Sequence, residues 1–514
     1  MKFLHQIPFL RLLLFFFIGI IIQSYYPVKE WIVWIVFMFS ALFFLLSYLP
    51  KFRKNYTYRF LFGCGLALLL FASALILTKQ AWQKSEWPED FTAKRFEVQI
   101  LNDPVRRPKS WSCDARILAT DHPQAASLIN KKLRLYIAVD ERSNELSAGR
   151  HIVFQHHLQA PFDYLKRQSI AASTYLPAKK WMEIEAPKKS FSVQLKALEV
   201  RRNLLRQLRQ IVPDDNSYAL ASALMFGYRN ELDDDLEEAF RNVGAAHILA
   251  ISGTHFSILF SIFYFLFSFL GNYRWSQRLK LSILLPFFWF FAFLTGFSPP
   301  VVRAVLMPTV WGIGEILGYR SQTLNTVVIS AFFMLIFNPL YLFDVGWQLS
   351  FLAVIAIIVL NPHLVRLYQS KNLIIKYMWQ LSCLSISAQL GVLPLTIYYF
   401  HQFPVYFLLG NLLLLPLSSI LLFLIPFTML IFCLSGYYRF LMWPLQQSLS
   451  AFIDIVRWLD QLPFRTIEQL NFTFFSACAC TLAIVLISLL FIRKRLIYFC
   501  LLWIEIVFLA IYYW

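Results

Sequence analysis

Long apolar runs dominate this sequence, and they constrain its fold more than any other feature. A run of about 18 nearly uncharged residues is long enough to cross the hydrocarbon core of a bilayer as a helix. Hydrophobic residues make up 58% of the 514 residues, more than one soluble core can bury. The candidate spans lie near 9–22, 31–49, 60–78, 246–270, 281–297, 301–318, 323–337, 347–361, 377–400, 405–435, 474–492 and 496–513. We therefore predict a polytopic α-helical membrane protein with about thirteen spans, in which Pro416 and Pro426 break 405–435 in two.

Basic residues between the spans predict the orientation of the chain. Cytoplasmic loops collect Lys and Arg, and the loop after the second run holds Lys51, Arg53, Lys54 and Arg59. The N-terminus is then cytoplasmic, and the soluble-looking segment after the third run lies outside. Later basic clusters fall on the cytoplasmic side: Arg274, Arg278 and Lys280, then Arg320, then Arg366, Lys371 and Lys376.

The exterior segment has the pattern of β-strands and an excess of positive charge. Its stretches "FEVQIL", "SCDARILAT", "KKLRLYIAV" and "RHIVFQHHLQ" are short, alternate in polarity and are separated by turn formers. Four or five such strands predict a small barrel or sandwich. Residues 91–210 contain 22 Lys and Arg against 11 Asp and Glu. Because this segment is not a membrane loop, the excess predicts a polyanionic partner, either nucleic acid or the acidic bilayer surface.

A basic amphipathic helix is predicted after the strands. "SVQLKALEVRRNLLRQLRQIV" has apolar residues at helical spacing, with Arg201, Arg202, Arg206 and Arg209 between them. Such a helix lies along the membrane surface, or it packs on the protein as an ordinary helix. Both alternatives are open on the sequence alone.

The stretch "VGAAHILAISGTHFSIL" places polar residues where a membrane helix should be most apolar. His247, Ser252 and His255 surround the helix-breaking Gly253. Polar and ionisable groups at membrane depth are costly, so their presence predicts a cavity or a pore. The alternative is hydrogen bonding between packed helices, where Gly253 lets another backbone approach closely.

Three later stretches repeat this combination of polar residues and helix breakers. In "TGFSPPVVRAVLM", Arg303 follows a Pro-Pro pair and is predicted to lie in the interior, with snorkelling to the headgroups as the alternative. Asp344 is its predicted counter-ion if the two helices adjoin. Gln348, Gln389 and Asn411 complete the set. Together these residues predict a polar path through the helices.

The sequence was also compared in pattern with known enzyme motifs, because buried polar residues can form an active site. Ala250-Ile251-Ser252-Gly253 lacks one glycine of the G-x-S-G of rhomboid-type intramembrane serine proteases, which also need a histidine on a neighbouring helix; His363 and His401 are the later histidines. The sequence contains neither H-x-H-x-D-H nor H-E-x-x-H, and no G-x-x-x-x-G-K-[ST]. We predict no enzyme activity, metal or cofactor, with the protease as a minor alternative.

These stretches, in this order, resemble the competence family, the ComEC-type channel proteins of bacterial DNA uptake. "ALASALMFGYRNELDDDLEEAFRNVGAAHILAISGTHFSIL" is similar to that family's opening signature, and "TGFSPPVVRAVLM", "NPLYLFDVGWQLSFLAV" and "AQLGVLPLTIYYFHQFPVYFLLGNLLLLPL" to its later ones. "APFDYLKRQSIAASTYL" is similar to the end of the family's extracytoplasmic domain, an OB-type barrel.

The resemblance implies a function, a location and partners. The function is passage of single-stranded DNA across the bacterial plasma (inner) membrane during natural transformation. The implied partners are single-stranded DNA, a cytoplasmic helicase-like ATPase, an exterior DNA-receptor protein and a separate nuclease. Many members continue into a metallo-β-lactamase-like domain, whereas this chain is expected to be a short form. Either the nuclease is then a separate protein, or the short form has reduced or different activity. A transporter of another anionic polymer or of a lipid-linked substrate is the alternative.

The OB-type barrel offers a candidate DNA-binding turn. OB barrels bind single strands through a basic groove and aromatic stacking platforms. Arg106, Arg107, Lys109 and Trp111 supply both on one turn. The alternative is a solvated loop with one packed tryptophan.

The predicted division of the chain follows from these patterns. It comprises N-terminal membrane helices at 1–79, the extracytoplasmic OB-like β domain at 80–190, amphipathic helices and a linker at 191–245, the competence-family channel domain at 246–435, and an amphipathic segment with C-terminal membrane helices at 436–514.

Overall fold

The computed structural model separates the chain into two compact units. It describes residues 7–50, 56–87, 95–107, 109–121, 128–184, 193–271, 273–319, 323–435 and 439–493, together with 497, 501, 502 and 505. The first unit comprises residues 1–200 and 328–344, and the second comprises 201–327 and 345–514.

Three apolar helices open the first unit: α1 (Pro8–Tyr25), α2 (Glu30–Tyr48) and α3 (Phe60–Gln83). Both α1 and α2 pack on α3. A Cβ on Gly19 of α1 would lie 2.7 Å from the Cβ of Ala74 in α3, so the two backbones approach as closely as glycine permits. Ser40 of α2 donates a hydrogen bond to the carbonyl of Gly65 in α3 at 2.8 Å.

A β domain follows these helices. Its elements are β1 (Arg95–Ile100), β2 (Val105–Arg107), β3 (Ser110–Thr120), β4 (Lys132–Ala138), β5 (His151–Gln155), α4 (Asp163–Arg167), β6 (Ile170–Leu176) and β7 (Trp181–Ile184). The seven strands form one sheet in the order β6-β4-β3-β1-β5-β7, with β2 paired to β3. All pairs are antiparallel except β4 with β6. The order β5-β1-β3-β4 is that of a Greek key, in which the fourth strand returns to lie beside the first.

The 3-10 turn Pro339–Phe343 belongs with this first unit. Arg167 of α4 lies over the ring of Phe343, 5.7 Å from its centroid, and donates a hydrogen bond to the Phe343 carbonyl. Tyr25 of α1 packs edge-on against the same ring. The stretch "NPLYLFD" therefore contacts both the β domain and the N-terminal helices, which nothing in the sequence indicates.

Most remaining helices form the second unit. In chain order they are α5 (Val193–Ile211), α6 (Asp215–Phe226), α7 (Asp234–Asn242), α8 (Ala246–Leu249), α9 (Gly253–Leu266), α10 (Arg274–Leu294), α11 (Pro299–Ile316), α12 (Thr323–Phe337), α13 (Val345–Val365), α14 (Leu373–Phe400), α15 (Phe407–Ser435), α16 (Arg439–Asp460) and α17 (Phe474–Arg493). The start of α5 and the end of α12 fall in the first unit. A short ladder, β8 (Phe403–Pro404) with β9 (Thr466–Ile467), ties the turn after α14 to the loop after α16.

Two apolar cores organise the second unit. The α6–α16 core contains buried residues of α5, α6, α7, α8, α15 and α16, such as Leu220, Phe240 and Phe452. The α9–α11 core joins α9, α10 and α11 through residues such as Phe256, Phe288 and Val305. Rings in both cores meet in the stacked or edge-on geometries that aromatic pairs prefer.

Helix α5 is a packed helix. Its apolar residues Leu205, Leu208 and Ile211 are buried in the α6–α16 core. Arg201 is also buried, and its guanidinium lies 5.8 Å from the ring of Tyr228. The apolar face of α5 is thus occupied by protein, as the packed-helix alternative expects.

Eight described helices are long and apolar enough to cross a membrane: α1, α2, α3, α10, α13, α14, α15 and α17. The chain is therefore a polytopic α-helical membrane protein with a β domain, as predicted. Helix α15 is continuous from Phe407 to Ser435, so the predicted break at Pro416 and Pro426 is wrong. Proline is tolerated within a membrane helix where neighbouring groups satisfy the carbonyl that it leaves unpaired. Most of the predicted final span, 496–513, lies outside the described residues.

Candidate functional site

The stretch "VGAAHILAISGTHFSIL", residues 243–259, is the opening polar stretch. It runs from one apolar core to the other. Gly244 has φ +77°, and a Cβ there would lie 2.9 Å from Pro404 and 3.0 Å from Phe407, so the turn packs on the start of α15. Ile248 and Leu249 are buried in the α6–α16 core, whereas Ile251 and Phe256 are buried in the α9–α11 core. The polar residues of this stretch therefore lie on the chain segment that links the two packed cores.

His255 is held in one orientation by the start of α9. Its side chain is only 3% exposed. The backbone N–H of Ser252 donates to His255 Nδ1 at 3.2 Å, and the Ser252 hydroxyl lies 3.0 Å from the same atom. A nitrogen that accepts a backbone N–H carries no proton, so His255 is neutral with its proton on Nε2. That Nε2–H is buried and has no hydrogen-bond partner among the described residues.

The same contact argues against His255 as the general base of a serine protease. A general base needs a free lone pair to take the proton from the serine hydroxyl. The Nδ1 lone pair of His255 already faces the backbone N–H of Ser252. The arrangement suits helix capping rather than proton transfer.

His247 and Gly253 lie on the accessible side of this stretch. His247 is exposed, and its Nδ1 lies 3.1 Å from the carbonyl of Gly244. A Cβ on Gly253 would meet no atom within 4 Å in the described part of the chain. The expectation that another backbone approaches closely at Gly253 is therefore wrong, and the glycine borders open space.

Arg303 lies in the interior of the second unit. Pro299 and Pro300 form the first turn of α11, where the missing N–H of proline costs no helical hydrogen bond. Arg303 follows one turn later and is 6% exposed, which excludes snorkelling to the headgroups. Its neighbours Val301, Ala304 and Val305 belong to the α9–α11 core, as do Ile251 and Phe256. A guanidinium and an imidazole thus enter the same cluster of helices.

The remaining predicted residues fall in three places. Gln348 of α13 accepts a hydrogen bond from the hydroxyl of Tyr399 in α14 at 3.0 Å. Gln389 is half-buried in α14. Asp344 ends the 3-10 turn of the first unit, whereas Arg303 belongs to the second, so their pairing stays a prediction. Tyr399 was not anticipated, because tyrosines are ordinary in membrane helices.

Asn411 lies beside the opening stretch. It follows Gly410 in α15, where a Cβ would lie 2.8 Å from a methyl group of Val243 and 3.2 Å from its carbonyl oxygen. The Oδ1 atom of Asn411 is buried and accepts no hydrogen bond from any residue that the structure describes. The start of α15 thus adds an unsatisfied acceptor next to the stretch that holds His247 and His255.

The basic turn of the β domain is a β2–β3 hairpin. Arg106 pairs with Trp111 and Arg107 with Ser110 across its strands. Arg106, Arg107 and Lys109 are exposed. Trp111 is half-buried and packs on the β-domain core, so only part of its ring is accessible.

Tyr136 and Tyr164 form an aromatic pair near this hairpin that we did not predict from the sequence. Burial and a hydrogen bond with Tyr164 raise the pKa of Tyr136 in β4, and the cationic Arg134 and Arg107 oppose the rise. Two tyrosines thus lie close to two arginines. The sequence signal is the alternation of Arg134 and Tyr136 in "KKLRLYIAV", which places both on one face of the strand.

The described residues contain no group of three or more His, Cys, Asp or Glu side chains able to hold a metal ion. Cys113 is buried in the β domain, and burial raises the pKa of its thiol to about 12. This cysteine is therefore a packing residue and not a nucleophile.

Comparisons with known proteins agree with these signatures. The sequence model of the competence protein family matches residues 224–496, just over half of the chain. ComE operon protein 3 of Bacillus subtilis is 32% identical over 221 residues, which cover 43% of this chain and 27% of the relative. Competence protein ComA of Neisseria gonorrhoeae is 31% identical over 206 residues, which cover 36% and 28%. Uncharacterized protein YcaI of Escherichia coli is 24% identical over 218 residues, which cover 39% and 27%. The chain therefore spans little more than a quarter of these relatives' length in each match, and no solved structure matches it.

Proposed function

Because this chain belongs to the ComEC-type competence family, we propose that it is a channel that moves single-stranded DNA into the cytoplasm during natural transformation. The family supports a role in DNA uptake. The channel, the single-stranded substrate and the direction of transport are the proposal.

The observation that supports the proposal is the pair of buried polar atoms at the junction of the two apolar cores of the second unit. His255 presents a buried Nε2–H, and Asn411 a buried Oδ1, without partners among the described residues. Unsatisfied buried polar groups cost about 1–3 kcal/mol each. Water or a passing substrate removes that cost, so these atoms favour a hydrated route over dry packing.

The side chains proposed to line the route, Arg303 and His255, suit a polyanion. Arg303 carries a permanent charge, and its guanidinium matches phosphate oxygens in geometry. The imidazole of His255 is a neutral donor. One fixed cation with neutral donors and acceptors attracts phosphates without holding them too tightly to move on.

The β domain supports reception of the strand on the outer side of the plasma membrane. Its Greek-key strand order, with β6 added parallel to β4, is consistent with an OB-like barrel. The exposed Arg106, Arg107 and Lys109 provide the cationic surface that single strands require. In this proposal the N-terminus is cytoplasmic.

In this proposal another protein supplies the force. The sequence contains no phosphate-binding loop of an ATPase, so the proposed motor is a cytoplasmic helicase-like ATPase. An exterior DNA receptor delivers the DNA.

The test is genetic. Deletion of the gene should abolish transformation by marked DNA, and a wild-type copy should restore it. A copy with Arg303→Gln should restore at most a small fraction, whereas Arg274→Gln, which removes an exposed arginine of α10, should restore transformation fully. Equal amounts of each protein in the membrane are the control. Unchanged transformation after deletion contradicts the proposal.

A further inference from the structure

A groove with a mixed polar and apolar lining lies between α13 and α14, and its lining includes no residue of the stretch that holds His255. Its volume is about 550 Å³, within the range of small-molecule sites. The polar part of its lining is Asn361, Arg366, Tyr377 and Gln380, and its apolar part includes Val365 and Leu381. The groove therefore offers both charge with hydrogen bonds and hydrocarbon contacts.

One acceptor in the polar part of the lining has no hydrogen-bond donor among the described residues. The Oδ1 atom of Asn361 is buried, and no residue in the described ranges donates to it. Arg366, just beyond the end of α13, is exposed and brings five N–H donors. Lys371 and Lys376 are exposed on the connection and the first turn of α14. A ligand with an anionic group and a hydroxyl complements both features.

The surroundings are those of a membrane interface. Leu373 and Ile374 are 80% and 74% exposed beside these cations. Trp379 donates its indole N–H to the carbonyl of Val365 at 3.3 Å and packs edge-on against Tyr368. Trp and Tyr with Lys and Arg at the ends of membrane helices are typical of the headgroup level. Exposed aliphatic side chains next to the groove favour a ligand with acyl chains over a soluble anion.

We propose that this groove binds an anionic phospholipid of the phosphatidylglycerol class. Arg366 pairs with the phosphate, and a glycerol hydroxyl donates to Asn361 Oδ1. The first methylenes of the acyl chains lie along Val365 and Leu381. Basic pockets between membrane helices bind anionic headgroups by the same chemistry. This site is independent of DNA transport.

The test is photo-crosslinking of the full-length protein in phosphatidylcholine nanodiscs. The probes are photoactivatable phosphatidylglycerol and photoactivatable phosphatidylcholine with the same chains. The phosphatidylglycerol probe should label residues 361–384, and unlabelled phosphatidylglycerol should compete at least about tenfold better than phosphatidylcholine. Glycerol phosphate and inorganic phosphate should not compete at equal concentration. Equal labelling by both probes, or labelling spread over all helices, overturns the proposal.

Two variants assign the contacts. Arg366→Gln should weaken competition by phosphatidylglycerol about fivefold, the factor for one surface cation near anionic lipid. Asn361→Leu keeps the volume, removes the acceptor and should weaken it as well. Arg278→Gln, an exposed arginine outside the groove, is the matched control and should leave competition unchanged. If glycerol phosphate competes as well as the lipid, the groove is a site for a free phosphate. If a single-stranded oligonucleotide displaces the probe, it is a site for DNA. Either result also overturns the lipid assignment.

Discussion

Neutralising two arginines of the β2–β3 hairpin tests the DNA-binding surface quantitatively. Arg106 and Arg107 are adjacent and exposed, so each can contact one phosphate. Because binding releases counterions from the single strand, the logarithm of the association constant falls as salt rises. The fall is about 0.7 per contacted phosphate for each tenfold increase in salt concentration. The variant R106Q/R107Q should therefore show a salt slope smaller by about 1.4. Between 50 and 200 mM salt, wild type should lose about sevenfold more affinity than the variant.

The assay is fluorescence anisotropy of a labelled oligonucleotide with the full-length protein in micelles at several salt concentrations. K179Q/K180Q is the matched control, because Lys179 and Lys180 are also adjacent and exposed in the β domain but lie away from the hairpin. Its slope should equal that of wild type if the strand follows the hairpin. Equal slopes for wild type and R106Q/R107Q refute the assignment.

Three further predictions concern packing and protonation. Gly391→Ala should lower the free energy of unfolding by about 1–3 kcal/mol, because its Cβ would clash with that of Ala356 and lie 2.9 Å from the carbonyl oxygen of Leu352. Gly63→Ala is the control and should leave the free energy of unfolding unchanged, because its Cβ meets no described atom within 4 Å. Thermal unfolding in micelles measures both. Asp214 caps α6, and its contact with Ser217, whose backbone N–H donates to the carboxylate, lowers its pKa. The stabilisation is present above the unfolded pKa of about 3.9 and is lost as the pH falls through the lower folded value, so wild type should lose stability in acid more steeply than Asp214→Asn; parallel pH profiles would count against this. Cys113 should resist iodoacetamide at pH 8 until the protein is denatured, because its pKa is about 12, and mass spectrometry that finds it alkylated in the native protein would contradict this burial.

The helices and strands were largely predictable, because their signals are local. The run at 60–78 became α3 (Phe60–Gln83), and "KKLRLYIAV" became β4 (Lys132–Ala138). Hydrophobic period and length decide such elements before tertiary contacts do. The strands β2, β6 and β7 raised the observed number to seven, above the four or five expected. Strands β2 and β7 are too short to show a clear alternation. Strand β6 is buried on both faces, so its polarity does not alternate.

The sequence could not predict the features that depend on contacts between residues far apart in the chain. Prolines 416 and 426 are helix breakers in isolation, yet α15 is continuous. Gly253 resembles a helix-packing glycine, yet it borders open space, whereas Gly391 is the tightly packed one. The grouping of residues 328–344 with the first unit likewise depends on contacts such as that between Phe16 and Phe332. None of these outcomes has a local pattern.

The central claim is that the stretch around His255 faces water on the path of a polyanion, and cysteine accessibility at Gly253 tests it most directly. In a variant with its native cysteines replaced, Gly253→Cys fits without a clash, because a Cβ there meets no described atom within 4 Å. Gly63→Cys is equally unhindered but lies in the apolar α3, so it is the lipid-facing control. We expect a charged, membrane-impermeant thiol reagent to modify position 253 but not position 63, and single-stranded DNA to slow the reaction at 253. A thiol at 253 that reacts as slowly as the one at 63 would contradict the account.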